Sequence, residues 1–395
     1  DVCFVTALVR PGKAAEPPPT TVAAVPVLPP ALAAPVLSVR RTPDALADDL
    51  REDTLVLAAA PAVSATDGTS CMALGADGRP LTAANAELAV IPASTLKVVT
   101  VAVALDVLGP DHVFTTDVRA AAPVAGAVQG DIVLVGGGDP VLSEAWYAQP
   151  SAGRKRPPNT ITGLEALADA VVAAGVTQVT GRVVGDGSRY DDEFFPPGWA
   201  EDLRRTFDFP PVDALSVNDT TSRGEVVGTD PALHAAGVFA QLLRDRGVAI
   251  GGDAGTGVAD PAVGVLASQA SAPLATIAHE VLSTSDNGAA EMLLKEIGLA
   301  VGGQGTRQAG IQAVIDRLGR WGVPSTGVVI TDGSGLSRDN QLTCATLLAV
   351  LQRTPIDAVL GQGMAVAGED GTTLAGQLEV AGIEGVLRAK TGSLK

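Results

Sequence analysis

Histidine and positive charge are scarce in this chain of 395 residues, and their scarcity argues against two classes of function. Its 27 lysine and arginine side chains are outnumbered by 44 acidic ones, so the formal net charge is −17. Because phosphates repel an acidic surface, nucleic acid is not expected as a partner. The histidines are His112, His234 and His279. His279-Glu280 begins a zinc-protease motif, but position 283 is serine, so a histidine-based zinc site or triad is poorly supported.

Cysteine is also rare, and Cys3, Cys71 and Cys344 form an odd, scattered set without metal-ligand spacing. Cys71 lies in a short strand-like run, and Cys344 lies in a helical pattern over residues 342–351. A buried free cysteine behaves as a small apolar side chain. We therefore expect Cys71 and Cys344 to be core side chains rather than disulfide partners.

An apolar segment and a proline-rich stretch precede the globular pattern. Residues 2–9 are apolar, are too few to span a bilayer and are followed by Arg10. They are either the end of a signal or anchor segment or an ordinary first strand. Residues 11–36 are rich in proline and alanine, which predicts a semi-rigid, extended linker. We interpret residues 1–40 as a signal or anchor remnant with a linker that holds a catalytic body away from a membrane.

One apolar run organises the rest of the chain. Residues 98–105 are almost wholly apolar and lie between Pro92 and a Gly-Pro pair at 109–110. The pattern predicts a buried helix that begins near Ser94 and places Lys97 one turn later on the same face. Unpaired N–H groups at a helix start favour negative charge, and burial lowers the pKa of a lysine. Ser94 and Lys97 are therefore a candidate nucleophile and base, although Ser94 alone could be a helix cap.

The remaining pattern divides the chain into a catalytic part and an insertion. Predicted helices lie at 43–52, 164–174, 273–282, 289–300, 307–321 and 340–353, and predicted strands at 54–59, 69–74, 132–135, 179–184, 328–330 and 386–393. Residues 111–270 have mostly short strands and glycine turns. We expect 41–110 and 271–395 to form one catalytic domain and 111–270 to be an inserted accessory region.

Two clusters in the insertion are expected to be structural. The glycine run at 136–138 follows a strand but lacks the Gly-Lys-Ser/Thr of a phosphate loop, so it is interpreted as a turn. An acidic cluster lacks calcium-loop spacing and is interpreted as a solvated loop. Its members are Asp186, Asp191, Asp192 and Glu193.

Three short motifs occur in a fixed order along the catalytic part. They are Ser94-Thr95-Leu96-Lys97, Ser285-Asp286-Asn287 and Lys390-Thr391-Gly392. Each is weak alone, but the trio in this order is that of class A β-lactamases and penicillin-binding proteins. Acyl transfer from serine needs a nucleophile with a base, a proton route to the leaving amine, oxyanion donors and a cation for the substrate carboxylate. A helix start, a loop between helices and a strand edge can supply all four to one cleft.

The sequence resembles the class C low-molecular-mass penicillin-binding proteins, the D-alanyl-D-alanine carboxypeptidases and endopeptidases of peptidoglycan. Family-like segments are IPASTLK, LVGGGDPVLS, PPVDALSVND, DGSGLSRDN and RAKTGSL, and they cover most of residues 85–395. The 191 positions from Ser94 to Ser285 resemble the large insertion of this class. The resemblance implies an α/β (α+β) fold, in which a β-lactamase/transpeptidase-like domain with an antiparallel sheet and a helical subdomain carries an inserted accessory region.

The resemblance also implies roles for five catalytic residues. Ser94 would attack the carbonyl carbon of the penultimate D-alanine, and Lys97 would take its proton. Ser285, supported by Lys390, would pass a proton toward the departing D-alanine. Lys390 would also keep Lys97 neutral by repulsion, and Asn287 would hold the substrate amide and orient Lys97.

Substrate-binding residues are implied on the motif strand, at Thr391, Gly392 and Ser393. Backbone N–H groups of Ser94 and Ser393 would form the oxyanion hole, and the hydroxyls of Thr391 and Ser393 would bind the terminal carboxylate. The implied partners are stem peptides that end in D-Ala-D-Ala, β-lactam antibiotics as inhibitors and, through an N-terminal anchor, the outer side of a membrane. The implied location is extracytoplasmic, and no metal or organic cofactor is required.

Two features depart from the family pattern. The chain ends three residues after Gly392, so we expect a fragment that lacks C-terminal strands and leaves the motif strand as an unpaired edge. The nearest counterpart of the Glu-x-x-Leu-Asn motif of class A β-lactamases begins at Glu291 but ends in Lys295, so no deacylating glutamate is evident. A β-lactamase and a non-catalytic peptidoglycan-binding module are the alternative functions.

Overall fold

The computed structural model describes residues 3–9, 44–151, 154, 156–224, 227–378 and 382–394. The helices in these residues are α1 Asp44–Ala65, α2 Leu96–Leu108, α3 Leu164–Ala173, α4 Pro231–Asp245, α5 Leu274–Thr284, α6 Asn287–Gly302, α7 Arg307–Arg320, α8 Cys344–Leu351 and α9 Val359–Gln362. The strands are β1 Cys3–Val9, β2 Met72–Ala76, β3 Arg79–Ala84, β4 Thr115–Arg119, β5 Ala127–Val128, β6 Ile132–Val135, β7 Leu142–Ser143, β8 Thr162–Gly163, β9 Gln178–Val179, β10 Val183–Asp186, β11 Ala249–Ile250, β12 Gly255–Thr256, β13 Val265–Ala270, β14 Ala365–Val366 and β15 Leu387–Ser393.

The strands form a large mixed sheet and several smaller ones. The large sheet has the order β12-β10-β6-β4-β13, in which β10 runs parallel to β6 and β12 while β4 is antiparallel to β6 and β13. A three-stranded antiparallel sheet, β1-β15-β14, carries the Lys-Thr-Gly motif on its central strand. The other sheets are β11-β9-β5 and the pairs β2-β3 and β7-β8.

Two large hydrophobic clusters stabilise the molecule. The first surrounds α2, whose Val98 and Val101 are fully buried against residues of α5, α6, α7 and α8, and it includes Phe114 and Val141. The second packs α3 and α4 on the large sheet. Because α2 is buried on most sides, as the apolar run predicts, its N-terminal end is held firmly by the first cluster.

The motif strand β15 is not a sheet edge, so the expectation of an unpaired edge is wrong. β1 pairs with it along its whole length, from Cys3 opposite Ser393 to Val9 opposite Leu387, and β14 pairs on its other side. Of the two interpretations of residues 2–9, that of a first strand is therefore confirmed for residues 3–9, and residue 2 lies outside the described residues. The linker predicted at 11–36 lies outside the described residues, and no described helix is both long and apolar enough to cross a membrane.

Cys71 and Cys344 form a disulfide, so the expectation of two free core cysteines is also wrong. Their Cα atoms lie 6.0 Å apart, within the usual range for a disulfide. The two residues are 273 positions apart in sequence, and a local sequence pattern cannot predict a contact at that separation. The fold brings the start of β2 against the first residue of α8 and so creates the pair.

The strand predicted at 328–330 is only an isolated bridge between Val329 and Gln341, and two further secondary-structure predictions differ from the structure. Residues 54–59, predicted as a strand, continue α1, because alanine and leucine have high helix propensities. The strand predicted at 179–184 is divided between β9 and β10, which belong to different sheets. These errors arise because a short apolar run does not by itself indicate whether it forms a helix or a strand, or which strand it pairs with.

The prediction of a solvated loop for the acidic cluster holds only for Asp192, which is exposed, because two other members pair with cations of α6 and α7. Asp191 accepts a 2.6 Å bond from the buried amine of Lys295 in α6, and Glu193 pairs with Arg307 at the start of α7. Asp186 is itself buried and accepts backbone N–H bonds. The sequence alone could not reveal these ion pairs, because Lys295 and Arg307 lie about a hundred positions from their acidic partners.

Candidate active site

Ser94 lies in a strained turn at the start of α2. A 3-10 turn, Ala93–Thr95, leads directly into the helix, and Thr95 Oγ1 donates a 2.7 Å hydrogen bond to Pro92 O. Ala93 has φ +48°, a left-handed conformation that is unfavourable for a residue with a Cβ atom. Ser94 therefore lies, as predicted, at the N-terminal end of a buried helix, where free N–H groups favour negative charge.

Lys97 is buried, and three oxygen atoms surround its amine. Nζ lies 3.1 Å from Ser94 Oγ and donates to Asn287 Oδ1 and Ser334 O, both at 2.6 Å. Burial lowers the pKa of Lys97 to about 8 from its usual 10.5, although nearby carboxylates, Asp332 foremost, act to raise it. An amine with this pKa, beside a serine hydroxyl, is suited to accept a proton.

The second motif forms the break between α5 and α6. Ser285 ends α5 with φ +69°, Asp286 caps α6 with its side chain, and Asn287 is the first residue of α6. Asn287 uses both ends of its amide, because Oδ1 accepts from Lys97 while Nδ2 donates to Asp208 O at 2.8 Å. Asp208, which lies in the region predicted to be an insertion, therefore helps to orient the amide that holds Lys97.

The third motif brings a second buried amine to the site. Lys390 Nζ donates to Ser285 Oγ at 2.8 Å and to Thr391 O at 2.7 Å. Burial is the main reason why the pKa of Lys390 lies well below its usual value, and repulsion from Lys97 and Arg156 adds to it. The two amines thus oppose one another's charging, and each contacts a different serine hydroxyl.

Gly392 allows the motif strand to lie directly against the turn at 92–95 that carries Ser94, hereafter the nucleophile turn. A Cβ atom on Gly392 would lie 2.9 Å from the nearest backbone oxygen and 3.1 Å from Ser94 N, so a larger residue would push the strand away. Lys390 and Gly392 share one face of β15, and Thr391 and Ser393 lie on the other by the alternation of a strand. Thr391 is half-buried, and Ser393 is exposed.

A loop at 332–337, hereafter the 332–337 loop, completes the surroundings of Lys97, and the sequence analysis assigned it no role. Ser334 contributes its main-chain oxygen to Lys97. Asp332 holds the loop by accepting bonds from the main-chain N–H groups of Gly335 and Ser337 and from the side chains of Asn340 and Trp199. The Asp-Gly-Ser-Gly-Leu-Ser run after a short apolar stretch is the signal that could have found it.

The structure therefore brings five of the predicted residues into two hydrogen-bonded groups. Hydrogen-bond distances connect Ser94 to Lys97, Lys97 to Asn287 and Lys390 to Ser285. Thr391 and Gly392 adjoin Lys390 on β15, and Ser393 ends the strand. In the parts of the chain that the structure describes, no group of three or more histidine, cysteine or acidic side chains could hold a metal ion.

Similar proteins were found by sequence and by fold. A carboxypeptidase from Mycobacterium tuberculosis is 32% identical over 331 residues, which cover 78% of this chain and 66% of that protein. The crystal structure of penicillin binding protein 4 (dacB) from Haemophilus influenzae matches with a TM-score of 0.69 at 19% identity, over 84% of this chain and 87% of that one. The structural likeness confirms the predicted mixed α/β, transpeptidase-like fold.

Two further similarities identify the family. A D-alanyl-D-alanine carboxypeptidase from Actinomadura sp. is 30% identical over 429 residues, which cover 88% of this chain and 76% of that protein. The family model for D-Ala-D-Ala carboxypeptidase 3 (S13) matches residues 55–229 and 224–395, nearly the whole globular part. With its serine and lysine motifs gathered in one site, the chain belongs to the D-Ala-D-Ala carboxypeptidase S13 family, a family of serine hydrolases.

Proposed function

We propose that this chain removes the terminal D-alanine from peptidoglycan stem peptides through an acyl-enzyme on Ser94. The observation that carries the proposal is the 3.1 Å contact between Ser94 Oγ and the buried amine of Lys97, whose pKa is lowered to about 8. Ser94 Oγ bonds to the carbonyl carbon of the penultimate D-alanine while its proton passes to Lys97. Asn287 holds the amine of Lys97 in place for this transfer.

The leaving D-alanine receives its proton from the second motif. When the C–N bond breaks, Ser285 Oγ donates a proton to the departing nitrogen, and Lys390, in contact with that hydroxyl at 2.8 Å, replaces it. Backbone N–H groups of Ser94 and Ser393 stabilise the oxyanion, and the hydroxyls of Thr391 and Ser393 bind the terminal carboxylate. Water then attacks the acyl-enzyme and its proton passes through Ser285 to Lys390, while Lys97 returns its proton to Ser94 Oγ as the shortened peptide leaves.

Slow deacylation of β-lactam adducts follows from the position of Glu291. Both of its carboxylate oxygens accept N–H bonds from the 332–337 loop, so it is not placed as a base for water. A β-lactam has the same acyl chemistry as the peptide, and penicillin binding protein 4 of Haemophilus influenzae has been solved in complex with a β-lactam. These points favour a long-lived penicillin adduct over the rapid turnover of a β-lactamase.

We also propose the domain division and the location. Residues 41–110 and 271–395 form the catalytic domain, and 111–270 form the accessory region, which the second hydrophobic cluster supports because its members lie between Val118 and Ala267. The Cys71–Cys344 disulfide is typical of an oxidising compartment and supports an extracytoplasmic location. Residues 11–36 would provide a linker, whereas residues 3–9 form β1 and belong with the catalytic domain rather than with an anchor.

Mass spectrometry after incubation with penicillin tests the function. The unaltered chain should gain the mass of one penicillin, Ser94→Ala should not, and Ser283→Ala should behave as the unaltered chain. Ser283 is a suitable control because its hydroxyl is buried near the site and has no hydrogen-bond partner among the described residues. Rapid penicillin loss without a lasting adduct would indicate a β-lactamase. Neither adduct nor turnover would indicate a binding module.

A further inference from the structure

Glu291 is a buried carboxylate of α6 that takes no part in the proposed bond-making steps. It lies one turn after Asn287 on the same helix face, and it is 2% exposed. Oε1 accepts N–H bonds from Gly333 at 3.0 Å and Ser334 at 2.8 Å, and Oε2 accepts from Gly333 at 2.9 Å. The donors of these bonds belong to the loop whose carbonyl oxygen contacts Lys97.

Two successive peptide groups of this loop direct their N–H groups at carboxylates and their carbonyl oxygens at α2. A trans peptide is planar, so anchoring its N–H fixes the direction of its carbonyl. The Gly333–Ser334 peptide donates its N–H to Glu291 and accepts a 2.7 Å bond from Thr100 of α2 on its other side. Glu291 of α6 and Thr100 of α2 therefore hold this peptide from opposite sides, and α2 is the helix that carries Lys97.

Asp332 acts in the same way on the next peptide. Its Oδ1 accepts the N–H of Gly335 at 2.8 Å, and the carbonyl of that peptide, Ser334 O, accepts from Lys97 at 2.6 Å. Asp332 is fully buried. Two carboxylates thus hold the N–H side of two successive peptides, and the carbonyl side of both contacts α2.

The same arrangement balances the charge that Lys97 acquires. When Lys97 takes the serine proton it becomes an ammonium ion inside a buried site, where charge is unfavourable without partners. The charged groups that act on it are Glu291 and Asp286 of the second motif region, Asp332 and Asp208 from loops, and Lys390 of β15. The carboxylates favour the ammonium form, and Lys390 opposes it.

We propose that Glu291 and Asp332 are positioning residues of the acyl-transfer reaction, which aim the 332–337 loop carbonyls at α2 and stabilise the protonated amine of Lys97. The inference rests on the proposed function, since it requires Lys97 to act as the base. Neither carboxylate is placed to touch the substrate, because their oxygen atoms are occupied by N–H donors of the loop and its neighbours.

The test compares variants of the full chain in the rate of acylation by a fluorescent penicillin, as a function of pH. Glu291→Gln keeps the size of the side chain but removes its charge. Thr100→Val removes only the hydroxyl that donates a hydrogen bond to Gly333 O. Displacement of a reacting group by about 1 Å can cost about 10²-fold, so both variants should lose between about tenfold and 10²-fold in rate. The acylation rate should rise with pH, and its half-maximum, hereafter the acidic midpoint, follows the pKa of Lys97. Only Glu291→Gln should also move this midpoint to lower pH, by about one unit, because Lys97 loses a neighbouring negative charge.

Glu296→Gln is the matched control, since Glu296 is equally buried on α6 but pairs with Arg189 of the insertion. It should leave the acidic midpoint unchanged even where thermal unfolding shows a loss of stability. An unchanged rate and midpoint in Glu291→Gln, on a protein that penicillin acylates at Ser94, would overturn this inference alone. Equal midpoint shifts in Glu291→Gln and Glu296→Gln would also overturn it. Absence of any adduct in the unaltered chain would instead defeat the proposed function, and the inference with it.

Discussion

A methyl group on Gly335 tests how closely the 332–337 loop packs against the nucleophile turn. Gly335 has φ +83°, and a Cβ atom there would lie 1.9 Å from Ala93 O and 3.2 Å from Ser94 N. Cβ atoms essentially never approach backbone oxygen within 3.0 Å, so in Gly335→Ala the loop and the turn must separate by about 1 Å. That movement reaches Ser94 directly, because Ala93 precedes it in the same turn.

The expected size of the effect follows from this displacement. Misplacing a reacting group by about 1 Å can lower a rate by about 10²-fold. The left-handed conformation adds a separate loss of stability of about 1–2 kcal/mol once the residue has a Cβ atom. Gly335→Ala should therefore lower both the melting temperature and the rate of acylation by penicillin, the latter by about 10²-fold.

Gly303→Ala separates the two effects. Gly303 ends α6 with φ +70°, but a Cβ atom there would meet nothing within 4 Å. This control should lose stability like Gly335→Ala and keep the acylation rate of the unaltered chain. The assay is the second-order rate of labelling by a fluorescent penicillin, with thermal unfolding measured on the same samples. A normal acylation rate in Gly335→Ala would refute the reasoning that the loop constrains Ser94.

Three further predictions concern the strand, the base and the disulfide. Gly392→Ala should slow penicillin acylation, because its Cβ atom would lie 2.9 Å from a backbone oxygen of the nucleophile turn; a rate equal to that of the unaltered chain would contradict this contact. If neutral Lys97 is the base, as proposed, the acylation rate should rise with pH through a midpoint near 8, because burial lowers the pKa of Lys97 to about 8; a profile independent of pH would exclude Lys97 from that role. Cys71→Ser should lower the free energy of unfolding by about 2–5 kcal/mol and abolish the effect of dithiothreitol on the melting temperature; a response to the reductant that persists in the variant would contradict the pairing with Cys344.

Strong local patterns predicted the elements that carry the site. The apolar run after Pro92 predicted α2 and the place of Ser94 at its start, and the strand predicted at 132–135 coincides with β6. The alternation near the end of the chain predicted β15 within one residue. These predictions succeed because the period of a long or sharply bounded pattern depends only on neighbours in sequence.

Contacts between distant segments could not be predicted in this way. The pairing of β1 with β15 joins the two ends of the chain, and the partner of Cys71 lies 273 positions away. Ser334 was missed because it contributes a main-chain oxygen, which any residue possesses. Glu291 was considered only as a deacylating base, since its N–H donors lie 42 and 43 positions further along the chain.

The sequence by itself determined which groups we propose for the chemistry: a serine with a lysine one helical turn later, a serine and asparagine at a helix break, and a lysine two positions before a glycine on a strand. Only the tertiary structure decided their chemical state. The pKa of Lys97 is lowered because burial removes water from its amine, and Asp332 and Glu291 act against that change from distant parts of the chain. Burial and charge depend on which segments pack together, and that packing is a property of the whole fold.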